Sequence, residues 1–277
     1  MKGVLSRWSA RRVPLVIGFV AVAVAAGAGV AQGERIKEGN LIVSLQGKIL
    51  PHALPRTTAA PVRIHVEGDV QTLSGDQPPP LRQLTIAINR QGKLFTRGLP
   101  VCAPEQLQGT STEGALSACG PALVGRGHFD AKVALPSLVP FPAQGSVLVF
   151  NGRRAGRQAI LLHIYGTRPT PVTFVLPLTI AHRRTGDFGL VISAKLPRLA
   201  GDLGYVTGIE FTLHRRYRYG GRMRSYLSAS CAAPAGFPGA LFVLAKASFG
   251  FANGQRLRTS VVRDCKVRKP PAPQRPD

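Results

Sequence analysis

The chain has 277 residues, a hydrophobic fraction of 44% and 36 Lys and Arg against 13 Asp and Glu, for a net charge of +23. A chain this long can bury about 70% or more of its unfolded surface, so a real core is within reach without metals. The charge points either to an anionic partner or to the Ala, Gly, Pro and Arg richness that a GC-rich genome encodes.

The chain opens MKGVLSRWSARRVPLVIGFVAVAVAAGAGVAQG. Lys2, Arg7, Arg11 and Arg12 form a positive region, Val13 to Ala31 carries no charge, and Gly29-Val30-Ala31 supplies the small residues of a cleavage site. This pattern predicts a secretory signal peptide over 1–31. The alternative is an uncleaved anchor, because 19 uncharged residues fall within the roughly 17–25 that span a bilayer. Small residues in its second half favour cleavage. Both readings place the rest of the chain outside the cytoplasm. They leave 246 residues with 32 basic side chains and 13 acids, a charge of +19. The excess is uneven: residues 150–277 hold 21 basic residues against 5 acids. For an exported protein no nucleic acid is expected, and the candidate partners are an anionic cell-wall polymer, an acidic polysaccharide or lipid headgroups. The oligomeric state is not legible.

Residues 32–60 are expected to form an N-terminal arm and linker, with a single strand-like run from Leu41 to Leu50. The body, 61–268, is dominated by a period of two. VRIHVEGDV alternates Val62, Ile64 and Val66 with polar residues; LTIAIN, HFDAKVAL, VTFVLPLTI, FGLVISAKL, GIEFTL, LFVLAKASFGF and LRTSVV follow. Short strands at this density, divided by Gly and Pro, predict an all-β antiparallel sandwich, jelly-roll-like or barrel-like. Pro177 within one run implies an edge or a bulge. One short helical insert is expected near 110–119, with Thr110 as N-cap and Glu113 completing a capping box. The tail, 269–277, is Pro-rich and expected to be disordered.

Four cysteines in an oxidising compartment read as two disulfides. Three pairings are possible; Cys102–Cys119 and Cys231–Cys265 are preferred because each closes the shorter local loop. No C-x-x-C motif is present, which leaves a redox motif or zinc ribbon without support.

The stretch HRRYRYGGRMRSYLSASC, 214–231, holds five arginines and three of the five tyrosines. Gly220-Gly221 signals a tight hairpin, since both turn residues need positive φ. Centred there, Tyr219 faces Arg222, Tyr217 faces Arg224 and Arg215 faces Tyr226, while Arg216 and Arg218 project from the other face. Two accounts compete: tyrosines shielding a hairpin whose arginines keep its edges soluble, or a basic aromatic platform for an anionic or sugar-like ligand. NGRRAGR (151–157) and AHRRTGD (181–187) are two further basic turns, and their clustering with the hairpin would favour the second.

Catalytic signatures are missing: no G-x-S-x-G, P-loop, H-E-x-x-H or EF-hand loop occurs. The six histidines are scattered singly, so no metal site and no cofactor are indicated. A hydrolase of envelope glycans or esters would draw on Asp130, Asp187, Asp202 and Glu210; Asp187, Glu210 and a histidine in one pocket would support it.

The stretches LTIAINRQGKLFTRGLPVC, ALVGRGHFDAKVALP, GYVTGIEFTLHRRY and SYLSASCAAPAGFPGALFVLAKASFGFANG together resemble a group of exported, β-rich, uncharacterised proteins of high-GC actinobacteria. That resemblance implies export, a β-rich body and the spacing of the four cysteines as a framework. It carries no activity. The expectation is an exported, non-catalytic protein of the cell envelope, structural or binding, secreted or membrane-held.

Overall fold

The computed structural model describes residues 34–136, 138–196, 198 and 204–268; the expected leader (1–31), the Pro-rich tail (269–277) and Asp202 lie outside them. The strands are β1 (Glu34–Glu38), β2 (Leu41–Leu50), β3 (Ala53–Leu54), β4 (Ala60–Pro61), β5 (Arg63–Thr72), β6 (Leu81–Asn89), β7 (Gly92–Leu94), β8 (Leu123–Val133) and β9 (Phe141–Arg154). They continue with β10 (Arg157–Gly166), β11 (Val172–His182), β12 (Phe188–Lys195), β13 (Gly204–Leu213), β14 (Arg216–Tyr219), β15 (Arg222–Ser225), β16 (Leu227–Ala229), β17 (Gly239–Phe251) and β18 (Arg256–Val267). Among the described residues one α-helix, α1 (Thr112–Cys119), interrupts them. The all-β reading with a short helical insert therefore holds.

Thirteen strands form one sheet in the order β1-β2-β5-β13-β8-β9-β10-β11-β12-β6-β17-β18-β3. Its long ladders are antiparallel, and β3 joins the end of β18 in parallel. The sheet curls until its margins meet. Glu34 of β1 accepts the Val262 N–H of β18 at 2.7 Å. Arg263 places Nη1 3.4 Å from Glu34 Oε1 and donates from Nε to Gly47 O of β2 at 2.7 Å. Side chains thus join the seam of a barrel-like body. The segment expected as an arm contributes β1 and β2 to this sheet, because Leu41, Val43 and Leu45 pack on Phe249, Leu257 and Val261.

Besides the short strands β1, β3, β4, β7 and β16, periodicity missed the long strands that read as continuous apolar runs. In β9 and β10, Val147–Phe150 and Ala159–Leu162 are buried on both faces, the pattern of doubly covered strands rather than alternating ones. Val147, Val149, Ile160 and Leu162 face the interior. Leu148, Phe150, Ala159 and Leu161 face outward, beneath the insert that carries Leu107 and Ala115. His163, fully buried on that outer face, ties the insert down: its Nε2 lies 3.0 Å from Thr110 O and 3.1 Å from Thr110 Oγ1. Burial lowers its pKa below the usual histidine value. This use of Thr110 explains a correction. The N-cap is Ser111, whose Oγ accepts the Gly114 N–H at 3.2 Å, while the Thr110 hydroxyl donates to Leu107 O at 2.8 Å.

Both disulfides form as preferred: Cys102–Cys119 closes the insert, and Cys231–Cys265 ties the 230s loop to β18, with Cα separations of 5.6 and 5.7 Å. Each contributes about 3–4 kcal/mol on the loop-entropy account. Pro177 is tolerated because the β11–β12 ladder begins only at Thr179, so β11 is locally an edge on that side.

Neighbouring strands run in opposite directions, so connections alternate between two ends of the barrel. One end carries the β1–β2 turn, the β5–β6, β8–β9 and β10–β11 loops and the β17–β18 turn. The other carries the β9–β10 and β11–β12 turns, the insert and the stretch from β13 to β17 that contains β14 and β15.

Candidate functional site

The hairpin folds as its sequence dictates. Gly220 and Gly221 have φ of 57° and 72°, and β14 pairs β15 with Tyr219 opposite Arg222 and Tyr217 opposite Arg224. Tyr226 N–H donates to Arg215 O at 2.8 Å, which extends the same register. The six predicted residues are therefore together, but they divide in use.

The tyrosines serve the fold. Tyr226 is fully buried in the core; burial pushes its phenol far above the ordinary value, and its hydroxyl finds no partner. Tyr217 donates from its hydroxyl toward Phe95 O at 3.1 Å and Arg97 O at 3.0 Å. Tyr219 lies across Gly98, where a Cβ would come within 2.0 Å of its ring. Phe95 stands 6.4 Å from both rings, and the Arg224 guanidinium sits 5.3 Å from the Phe95 centroid. The 95–99 loop thus covers the interleaved face in part: Tyr217 is half-buried against it, while Tyr219 stays 38% accessible. Sequence reasoning missed this partner, because nothing in FTRGL marks it as the complement of a hairpin 120 residues away.

The arginines remain outside. Arg216, Arg218, Arg222 and Arg224 are exposed, and Arg215 is half-buried with an unpartnered Nε. The other basic turns come to the same end, and a chain of contacts joins them. Gln158, next to Arg157, donates to Thr96 Oγ1 at 3.4 Å, and its Oε1 lies 3.3 Å from His182 Nε2, next to Arg183. Thr96 belongs to the loop that receives Tyr217. Arg153, Arg154, Arg157, Arg183 and Arg184 are all exposed. His214 registers the surrounding charge: its pKa is lowered, first by burial and then by Arg63 and Arg216.

The carboxylates are arranged elsewhere. Glu67 and Asp69 on β5, Asp130 on β8 and Glu210 on β13 share the outer face of neighbouring strands. Glu210 lies 3.6 Å from His65 Nε2 and 3.5 Å from His128 Nε2. Burial, followed by Glu67 and Asp130, raises the Asp69 pKa. Asp187 is in the β11–β12 turn, its carbonyl accepting Arg90 N–H at 2.7 Å, and lines a hollow with Asn89, Arg90 and Ser230. Asp187 and Glu210 thus sit on different elements, and the catalytic pocket a hydrolase would need is not assembled from them. Among the described residues no group of three or more His, Cys, Asp or Glu is placed to hold a metal ion, and no helix is long and apolar enough to cross a membrane. Comparison with known proteins finds no matching family, curated protein or solved structure.

Proposed function

We infer that this is an exported, non-catalytic binding protein of the cell envelope that grips an anionic polymer through the basic end of its barrel. One observation carries the reading: nine exposed arginines from three separate turns converge at one end. A composition rich in arginine would spread them over both. At the opposite end, counted in the same way over the described residues, connections and adjoining strand ends hold Arg168, Arg198, Arg82, Arg256 and Arg258. The two disulfides accord with an oxidising compartment, and the leader supplies the route there. Arginine forks suit phosphate and carboxylate oxygens, so a phosphodiester or uronate polymer fits the end better than a neutral glycan.

The test is co-sedimentation with purified cell wall, before and after its anionic polymers are stripped, across a salt series. Binding that depends on those polymers and weakens steeply with salt supports the reading, because exposed charges are screened beyond about 8 Å at physiological ionic strength. Equal binding to stripped wall, independent of salt, overturns it.

A further inference from the structure

The end of the barrel opposite the arginines leads to an apolar cavity of about 210 Å³ inside the barrel. Val66, Ile86, Leu162, Phe174, Leu176 and Phe211 supply its wall, and Pro78, Pro79 and Pro80 border it. Arg82 is the charged residue whose strand face lines it; Asp69 borders it, with its carboxylate on the outer face beside Asp130. A dry apolar cavity of about 150 Å³ already accepts benzene, so this one is large enough for a guest. Its shape is a slot: from Leu81 to Ile86 the wall follows β6 for about 17 Å, at ~3.4 Å per residue.

Two further features concern access. Among the described pairings, the β11–β12 ladder starts at Thr179, so Phe174, Leu176 and Leu178 line the cavity where β11 lacks β12 beside it. The loops at this end also expose apolar side chains: Leu73 is 56%, Leu138 61% and Val139 87% accessible. Exposed aliphatic residues at the end where an apolar cavity opens suit a lipid surface rather than a dissolved polar ligand.

From this geometry we propose that the barrel binds one hydrocarbon chain of an envelope lipid, with the polar head held at the mouth. An almost wholly apolar cavity that follows β6 for about 17 Å takes an unbranched chain lengthwise. Arg82, near the start of β6, gives the head a polar boundary at the lining. This site is independent of the basic end, so either proposal can fail without the other.

Gly68 provides the test. It lines the cavity with ordinary φ, and a Cβ there would find nothing nearer than Ile209 Cγ2 at 3.7 Å. Gly68→Leu should plug the slot while leaving the fold intact; Gly68→Ala, a smaller plug, serves if the leucine variant does not fold. Protein expressed from the full sequence and purified without detergent is titrated with N-phenyl-1-naphthylamine, a neutral apolar fluorophore that ignores the arginines. The displacers are palmitate and a single-chain phospholipid. Saturable 1:1 binding is expected, displaced by either compound and weakened at least about tenfold in Gly68→Leu. Displacement by palmitate assigns free fatty acid as a sufficient source; displacement by the phospholipid alone assigns a lipid whose head remains at the mouth. No saturable binding by the wild-type chain, or binding unchanged in a folded plug variant, overturns the proposal.

Discussion

The two ends of this barrel solve opposite problems. At the basic end the tyrosines support the hairpin: Tyr226 in the core, Tyr217 in hydrogen bonds to the 95–99 loop, and Tyr219 over Gly98 with its outer side exposed. The aromatic residues thereby fix a scaffold, and the charges they support stay in solvent. At the other end Leu73, Leu138 and Val139 are exposed on loops at the end where the cavity opens. The difference separates two meanings of an unusual sequence stretch. HRRYRYGGRMRSY reads as one mixed surface; folded, its tyrosines are architecture and its arginines are surface.

The strongest way to break the contrast is to remove the scaffold. Tyr226→Ala should cost about 3–5 kcal/mol, as large aromatic truncations in cores do, and chemical denaturation will measure it. Tyr226→Phe should be neutral or slightly stabilising, because the lost hydroxyl has no partner. A milder disruption is Gly98→Ala. At φ 80°, with the Tyr219 ring in the way, the methyl group should cost about 1–3 kcal/mol and loosen the hairpin, visible as faster amide exchange in β14 and β15.

Sharpening the contrast means changing charge without changing the scaffold. Arg153, Arg154, Arg183 and Arg184 mutated together to Ala should lower affinity for an anionic polymer by about tenfold or more and flatten its salt dependence, while stability shifts little, as exposed substitutions do. Arg256 and Arg258, exposed on β18 near the other end, are the matched control and should change affinity far less.

The smallest effect concerns pH. In the fold the His163 pKa is lowered, so below the ordinary value of 6.5 the unfolded chain takes up a proton that the folded chain refuses. Stability is therefore full above that value and falls as pH drops below it. His163→Gln should flatten that decline in a thermal melt series; Asp69, whose pKa is raised, acts in the opposite sense and is unaffected by the change.

Much of the fold was legible because alternation is a direct consequence of one buried face. Strands with that property, such as β5 and β13, were readable from VRIHVEGDV and GIEFTL. SVLVF and AILL were not, since a strand covered on both faces has no period to detect. Thr110 was mistaken for a cap because capping spacing is blind to a competing partner; His163 and Leu107 O claim that hydroxyl. The hairpin register was readable because two adjacent glycines fix it locally. Its burial was not, because Phe95, Arg97 and Gly98 arrive from a distant part of the chain. The convergence of three basic turns depends on strand order, and no local pattern encodes that. The cavity was equally hidden: its lining residues are ordinary strand residues until the sheet curls.

The most direct test of the central claim is arginine-directed chemical footprinting with and without a bound anionic envelope polymer, read by mass spectrometry. Protection should concentrate at Arg153, Arg154, Arg157, Arg183, Arg184, Arg216, Arg218, Arg222 and Arg224, and leave Arg256 and Arg258 as reactive as in the free protein. Protection spread evenly over both ends, or confined to residues outside the three turns, would contradict the account and return the charge of this chain to composition.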